Sequence, residues 1–183
     1  MSDLPDISHL PEGAPIPDNR LVGNLHCQRC GGVCGSQVVE GRERPVCADC
    51  GFVIYQDPKL AVAVVIERDG QFLLGLRGPG VRAPGKWSFP AGYVERGEVV
   101  EVAAIREARE ETGLTVELGS LLALISAPGE PVVLAVFPAA SFTGDPTPND
   151  DLLELGWFTP DSLPELAFPS DRRIIAALDP SSV

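Results

Sequence analysis

From Leu60 to Ile66 the chain reads Leu-Ala-Val-Ala-Val-Val-Ile, an unbroken apolar run rich in β-branched residues. Such a run predicts a strand. Arg68-Asp69-Gly70 then supplies a turn and Gln71 to Leu76 a second apolar run, so the two strands predict a hairpin. Gly78 to Gly85 is rich in Gly and Pro and predicts a loop. Glu98 to Thr112 contains neither Gly nor Pro, is rich in Ala and Glu, and stops at Gly113, where a helix C-cap belongs. Leu118 to Ala127 and Val132 to Ala139 predict further strands, Gly156 to Phe158 a short one, and Asp171 to Leu178 a terminal helix. Strands outnumber helices and one helix falls between strand groups, which is the order of an α/β layered domain with a mixed sheet.

The 183 residues, 44% hydrophobic and 22% charged, are enough to bury a core without disulfides. The formal charge of −12 is unevenly spread. Residues 1–19 carry four acids, no base and four prolines, and predict a poorly ordered tail. Residues 20–60 net to +1 and the remainder to −9. This balance argues against a nucleic-acid or anionic-membrane binder, because either partner needs an excess of Lys and Arg. A phosphate-bearing partner stays compatible with it only if a cation intervenes. No signal peptide or membrane span is legible in the sequence, and the expected location is the cytoplasm.

Four of the five cysteines form two pairs, Cys27-Gln-Arg-Cys30 and Cys47-Ala-Asp-Cys50, with 16 residues between them. That spacing is the spacing of a structural tetrathiolate zinc site, and each second Cys is followed by a Gly that permits a tight backbone turn. Redox pairs or disulfides are the competing reading, disfavoured by the expected compartment. Four thiolates leave Zn²⁺ no open position, so the module, placed at residues 20–56, is expected to be structural. Cys34 is expected to be a spare thiol and His26 a bystander.

On a helical wheel the helix at residues 98–112 places Glu107, Glu110 and Glu111 on one arc, shared with Val99, Val100 and Ala103. Glu98, Glu101, Arg109 and Thr112 take the opposite side. A run of charges on a helix is ordinarily a solvated face, but these three acids share the apolar side. At spacings of three and four residues they repel one another by about 0.2–0.5 kcal/mol per pair even on a surface. Arg106 can pair with Glu110 and leaves negative charge unmatched. The oxygen-only ligand set calls for a divalent cation, Mg²⁺ or Mn²⁺.

Gly92, five residues, Glu98, seven residues and then Arg106-Glu107-Ala108-Arg109-Glu110-Glu111-Thr112-Gly113-Leu114 fill every fixed position of the Nudix hydrolase signature. The chain therefore resembles that family. A chance match is on the order of 1 in 10⁸ per start position. The resemblance implies an α/β/α sandwich with a mixed sheet at residues 57–183, preceded by the zinc ribbon. It also implies a homodimer that hydrolyses a nucleoside diphosphate linked to another moiety, with water attacking phosphorus. Carried over by position, Glu107 and Glu111 would be the principal ligands of the catalytic cation, and Glu110 would share it or activate water. The carbonyl of Ala91 or Gly92 would complete its shell, Arg106 would orient a carboxylate, and Glu98 would serve the same cluster.

A tetracysteine ribbon ahead of such a domain resembles two branches of the family. One is the NADH diphosphatases, whose Ser-Gln-Pro-Trp segment has no counterpart in residues 115–140. The other includes FAD and ADP-ribose diphosphatases, and its segments are matched by Asp57-Pro58-Lys59, by Leu166-Ala167-Phe168-Pro169 and by the place of Pro128. ADP-ribose or FAD is therefore the expected substrate, with release of AMP. Coenzyme A diphosphatases share part of Leu73 to Gly92, one residue out of step between Arg82 and Gly85. Arg77 and Arg82 are candidate phosphate contacts, and Glu154 is a candidate extra metal or base residue near a polar segment, Thr143 to Asp151, that could act as a lid. Tyr93, Trp87 and Phe89 are expected to pack rather than to stack on a base. The reading from another class, a non-catalytic nucleotide- or DNA-binding Nudix regulator, would have lost one of the three acids and would show a basic ribbon. Neither holds here.

Overall fold

The computed structural model of the chain describes residues 25–128 and 130–178. The predicted tail at 1–19 lies outside them. The chain divides into two compact units: one ends at Asp57 and also takes in Ala127–Glu130, and the other comprises Pro58–Ser126 and the chain from Pro131 onward.

In the first unit, strands β1 (Cys34–Val39) and β2 (Arg42–Cys47) pair antiparallel around Glu40 and Gly41, both at positive φ. Two turns of the same design lie on either side of them. Gly31 N donates to Cys27 O and Cys27 N to Gly32 O, and Gly51 N to Cys47 O and Cys47 N to Phe52 O in turn. Gly31 and Gly51 close these turns at φ of 77° and 70°, where a side chain would be strained.

The second unit is built on β3 (Lys59–Val65). Its unbroken apolar run is explained by cover on both faces: Val62 and Val64, with Ile66 beyond, enter one core cluster, and Ala63 and Val65 enter another. β4 (Glu67–Arg68) turns at Asp69-Gly70 into β5 (Gln71–Arg77), so the turn stands where the sequence reading puts it, but the expected hairpin of the Leu60–Ile66 run with β5 does not form: β5 pairs with the two-residue β4, and β3 belongs to another sheet. Short strands β6 (Trp87–Ser88) and β7 (Ala91–Tyr93) lead to helix α1 (Val100–Thr112). After α1 come β8 (Thr115–Leu118), β9 (Ala123–Ile125), β10 (Val132–Thr143), β11 (Leu152–Phe158) and helix α2 (Pro169–Leu178).

The main sheet runs β7-β3-β10-β8 with β9 beside β10, and only the β3–β10 pairing is parallel. The second sheet is β11-β5-β4, with β6 on β5. Ala103, Ala104 and Ala108 of α1 pack on the Val62–Val64 face, and Ile174 of α2 packs with Ala63, Val65 and Ile125 on the other. This is the expected α/β/α sandwich with a mixed sheet. Among the described residues no helix is long and apolar enough to cross a membrane.

Several element boundaries differ from the sequence reading: β8 begins at Thr115, β10 runs on to Thr143, α2 begins at Pro169, and three further differences have a physical reason. The helix starts at Val100 because Val99 is extended and Glu98 belongs to a turn closed by Glu98 N on Glu95 O. The segment from Leu118 to Ala127 is two strands: β10 pairs its first half with β9 and its second with β8, and Pro138, which has no N–H to give, stands at the change. β11 begins at Leu152, four residues before the expected Gly156, and Leu152, Glu154 and Leu155 pair with β5.

Candidate functional site

The acidic cluster is placed by α1 and by the β7 strand ahead of it. Burial grades the three acids of the helix: Glu111 is 4% exposed, the Glu107 side chain 12% and the Glu110 side chain 51%. Glu107 and Glu111, four residues apart, face inward as the wheel requires. Glu110 turns toward solvent, and Thr112, expected on the solvent side, is fully buried with its hydroxyl on Ala108 O. Val99 is also exposed. The arc is thus displaced toward the Thr112 side of the wheel.

Arg106 uses all five of its N–H donors. Nε and Nη2 hold Glu98 as a bidentate pair at 2.8 and 2.9 Å, Nη1 holds Glu107 at 2.7 Å and Glu110 at 2.9 Å, and Nη2 also reaches Tyr93 O at 3.1 Å. One guanidinium thereby fixes three carboxylates and the backbone of β7. Arg106 draws the Glu98 carboxyl down to about 2, helped by the Glu95 N–H. The predicted pairing with Glu110 is present.

Glu111 has no such partner. Its Oε2 accepts the Ala91 N–H at 2.9 Å. Burial pushes its carboxyl up to about 8 against that hydrogen bond, and the charges of Glu107 and Asp150 push the same way. Glu107 is raised too, by burial above all, despite Arg106. Gly92 lies under the Glu107 carboxyl: a Cβ there would fall 2.0 Å from Cδ and 2.1 and 2.2 Å from the two oxygens. Ala91 and Gly92 therefore meet the cluster as backbone, Ala91 through its N–H.

Arg77 and Arg82 are brought together, with Arg77 Nε on Arg82 O at 2.7 Å. Glu154 is not brought to the acidic helix. It stands exposed on β11 opposite Leu76, and the charge that reaches Glu107 and Glu111 from this part of the chain is that of Asp150. The sequence reading passed over Asp150. Its signal was weak, since it is one acid among several in a polar loop. That loop is tied to the end of α1 by Thr147 N on Thr112 O and Asn149 N on Glu111 O. Of the three aromatics, Phe89 is buried, Trp87 packs edge-on against Phe158, and Tyr93 is exposed beneath the Lys59 amine.

Residues 57–178 match the NUDIX domain family. The chain belongs to this family. It is 36% identical over 125 residues to an ADP-ribose pyrophosphatase of Methanocaldococcus jannaschii, covering 66% of this chain and 73% of that protein. It is 34% identical over 154 residues to the NAD-capped RNA hydrolase NudC of Pseudomonas aeruginosa, covering 81% of this chain and 53% of that one. A crystal structure of a NUDIX hydrolase from Nitrosomonas europaea superposes with a TM-score of 0.74 at 31% identity, over 82% of this chain and 87% of that chain. In this Nudix hydrolase the acidic helix is the family's signature segment. No resemblance is needed to see that its carboxylates outnumber the cations beside them.

In the first unit the Sγ atoms of Cys27, Cys30, Cys47 and Cys50 lie within 4.8 Å of one another. Three of their separations are 3.4, 3.5 and 3.7 Å. A tetrahedral Zn–S shell of about 2.3 Å calls for S···S of about 3.8 Å, so the group fits a structural metal. The Arg29 N–H points at Cys27 Sγ from 3.3 Å, and the N–H groups of Cys50 and Asp49 draw the Cys47 thiol down to about 7. Cys34 sits opposite Cys47 on the hairpin, outside the cluster. The His26 ring is engaged with Gly31 O.

Proposed function

We propose that this Nudix hydrolase cleaves the pyrophosphate linkage of ADP-ribose or FAD and releases AMP. The observation that carries the reading is the pair Glu107 and Glu111, two inward carboxyls raised by burial, which Arg106 neutralises only in part. Such a pair, costly to ionise alone, suits a site that a cation completes. The relation to the ADP-ribose pyrophosphatase of M. jannaschii supports the substrate.

A divalent cation, Mg²⁺ or Mn²⁺, held by Glu107, Glu110 and Glu111 with a carbonyl of Ala91 or Gly92, would screen the substrate phosphates and acidify water. The chain's own residues do the positioning. Arg106 locks Glu107 and Glu110 in one arrangement and is itself braced by Glu98. The Ala91 N–H orients Glu111 by its Oε2. Glu110, the most exposed of the three, keeps Oε1 clear of Arg106 and receives the proton of the attacking water there. Arg77 and Arg82 take the substrate phosphates. The thiolate cluster holds Zn²⁺ and stabilises the ribbon of residues 20–56, and residues 57–183 form the catalytic domain.

A second reading, NAD-linked substrates, is favoured by the longer match to NudC. Incubation with ADP-ribose, FAD, NADH, coenzyme A and nucleoside triphosphates in Mg²⁺ and in Mn²⁺, with products identified, separates the two. The first reading expects AMP with ribose 5-phosphate or FMN as the fastest products. Faster release of AMP and reduced nicotinamide mononucleotide from NADH establishes the second.

A further inference from the structure

Arg77, the last residue of β5, turns back on the loop that follows it. The loop is closed at its base by Arg77 N on Lys86 O and Gly85 N on Arg77 O, both 2.9 Å, and at its tip by the Arg77 Nε bond to Arg82 O. This brings both guanidiniums to one aromatic ring. Cζ of Arg77 is 5.1 Å and Cζ of Arg82 5.5 Å from the centroid of Phe168. The backbone that carries the ring is fastened at each side: Ala167 N donates to Trp87 O at 2.7 Å, and Phe168 N to Asp171 Oδ2 at 2.9 Å. Phe168 is only half-buried.

Two guanidiniums gathered on one ring repel each other, and the ring's negative face offsets part of that repulsion. Among the described residues Arg77 forms no ion pair; its Nη1 is 3.4 Å from Ser88 Oγ. Ser88 ends β6, and Ala91, whose N–H holds Glu111, opens β7 three residues later. Planar donors presented side by side match a phosphoryl group.

We propose that Phe168 is a positioning residue that holds Arg77 and Arg82 as a single clamp for a phosphoryl group of the substrate. The proposal rests on the diphosphate reading above and adds to it the residue that sets the geometry of the clamp. Phe168 does not touch the reacting atoms. Loss of its ring therefore weakens substrate capture and spares the chemical step.

The test uses the full chain with its ribbon metal in place. Inorganic pyrophosphate is titrated calorimetrically, without added divalent cation, into the wild type, Phe168→Leu, Phe168→Tyr, Arg77→Gln and Arg82→Gln, and melting temperatures are recorded in parallel. Phe168→Leu is expected to weaken binding about fivefold, each Arg variant at least as much, and Phe168→Tyr to retain wild-type affinity. Where ADP-ribose is hydrolysed, KM rises about fivefold in Phe168→Leu with kcat within about twofold. Equal pyrophosphate binding in Phe168→Leu and the wild type, no binding in the wild type, or a fall in kcat at constant KM overturns the clamp. If neither ADP-ribose, FAD nor NADH is hydrolysed the diphosphate reading fails by itself, and pyrophosphate binding still decides the clamp.

Discussion

The carboxyl group of Glu107 rests on the bare backbone of Gly92, with its Cδ only 2.0 Å from where a Cβ of residue 92 would stand. Any side chain at position 92 displaces the carboxyl. Gly92→Ala is expected to lower kcat/KM about 100-fold, since misplacing a catalytic group by about 1 Å costs that much. The circular dichroism spectrum should remain native. A loss under threefold contradicts the placement.

Arg106 is a single cation shared by Glu98, Glu107 and Glu110, and lysine cannot copy its planar fork. Glu98 is held down at about 2 against an ordinary 4.5, so the stability it contributes is complete above pH 4.5 and lost as the pH falls toward 2. Arg106→Lys removes that contribution. Its melting temperature should lie below the wild type near neutral pH, and the two should converge on acidification. A gap that persists at pH 2 rules out the ion pair as its source.

Glu111 has the opposite sign. Its folded value of about 8 lies above its ordinary 4.5, so the fold binds a proton there that the unfolded chain releases. In the absence of a divalent cation, stability falls as pH rises from 4.5 to 8. Glu111→Gln lacks this loss. Thermal melts should show the variant level with the wild type at pH 4.5 and more stable at pH 8, by a few kcal/mol as an order of magnitude. A variant less stable at pH 8 than at pH 5 relative to wild type contradicts the raised carboxyl.

The four clustered thiols predict about one Zn²⁺ per chain on elemental analysis, reduced sharply in Cys47→Ser and unchanged in Cys34→Ser. Metal loss in Cys34→Ser would assign the fifth thiol to the shell.

Much of this was legible because it depends on local residue type. The Leu60–Ile66 run, the turn at Asp69-Gly70, Gly113 at the end of α1 and the two CxxC turns each carry their own backbone preference. The graded burial of Glu107, Glu110 and Glu111 was only partly legible, since the wheel gives angles and not the depth at which α1 sits on the sheet. The break between β8 and β9 depends on a partner strand distant in sequence, and so does the convergence of Arg77, Arg82 and Phe168. Glu154 was singled out in the sequence and Asp150 was not, although both are acids at the end of the same polar stretch. A bulge in β11 and the hydrogen bonds of Thr147 and Asn149 to the end of α1 distinguish them.

The central claim is that the inward carboxylates of α1 serve a metal-dependent cleavage of a diphosphate. Hydrolysis of ADP-ribose in Mg²⁺, followed as AMP and ribose 5-phosphate by the wild type and by Glu111→Gln, tests it most directly. Equimolar products from the wild type and a loss of at least about 1000-fold in a folded Glu111→Gln protein are the predicted result. Turnover by Glu111→Gln equal to that of the wild type would contradict it.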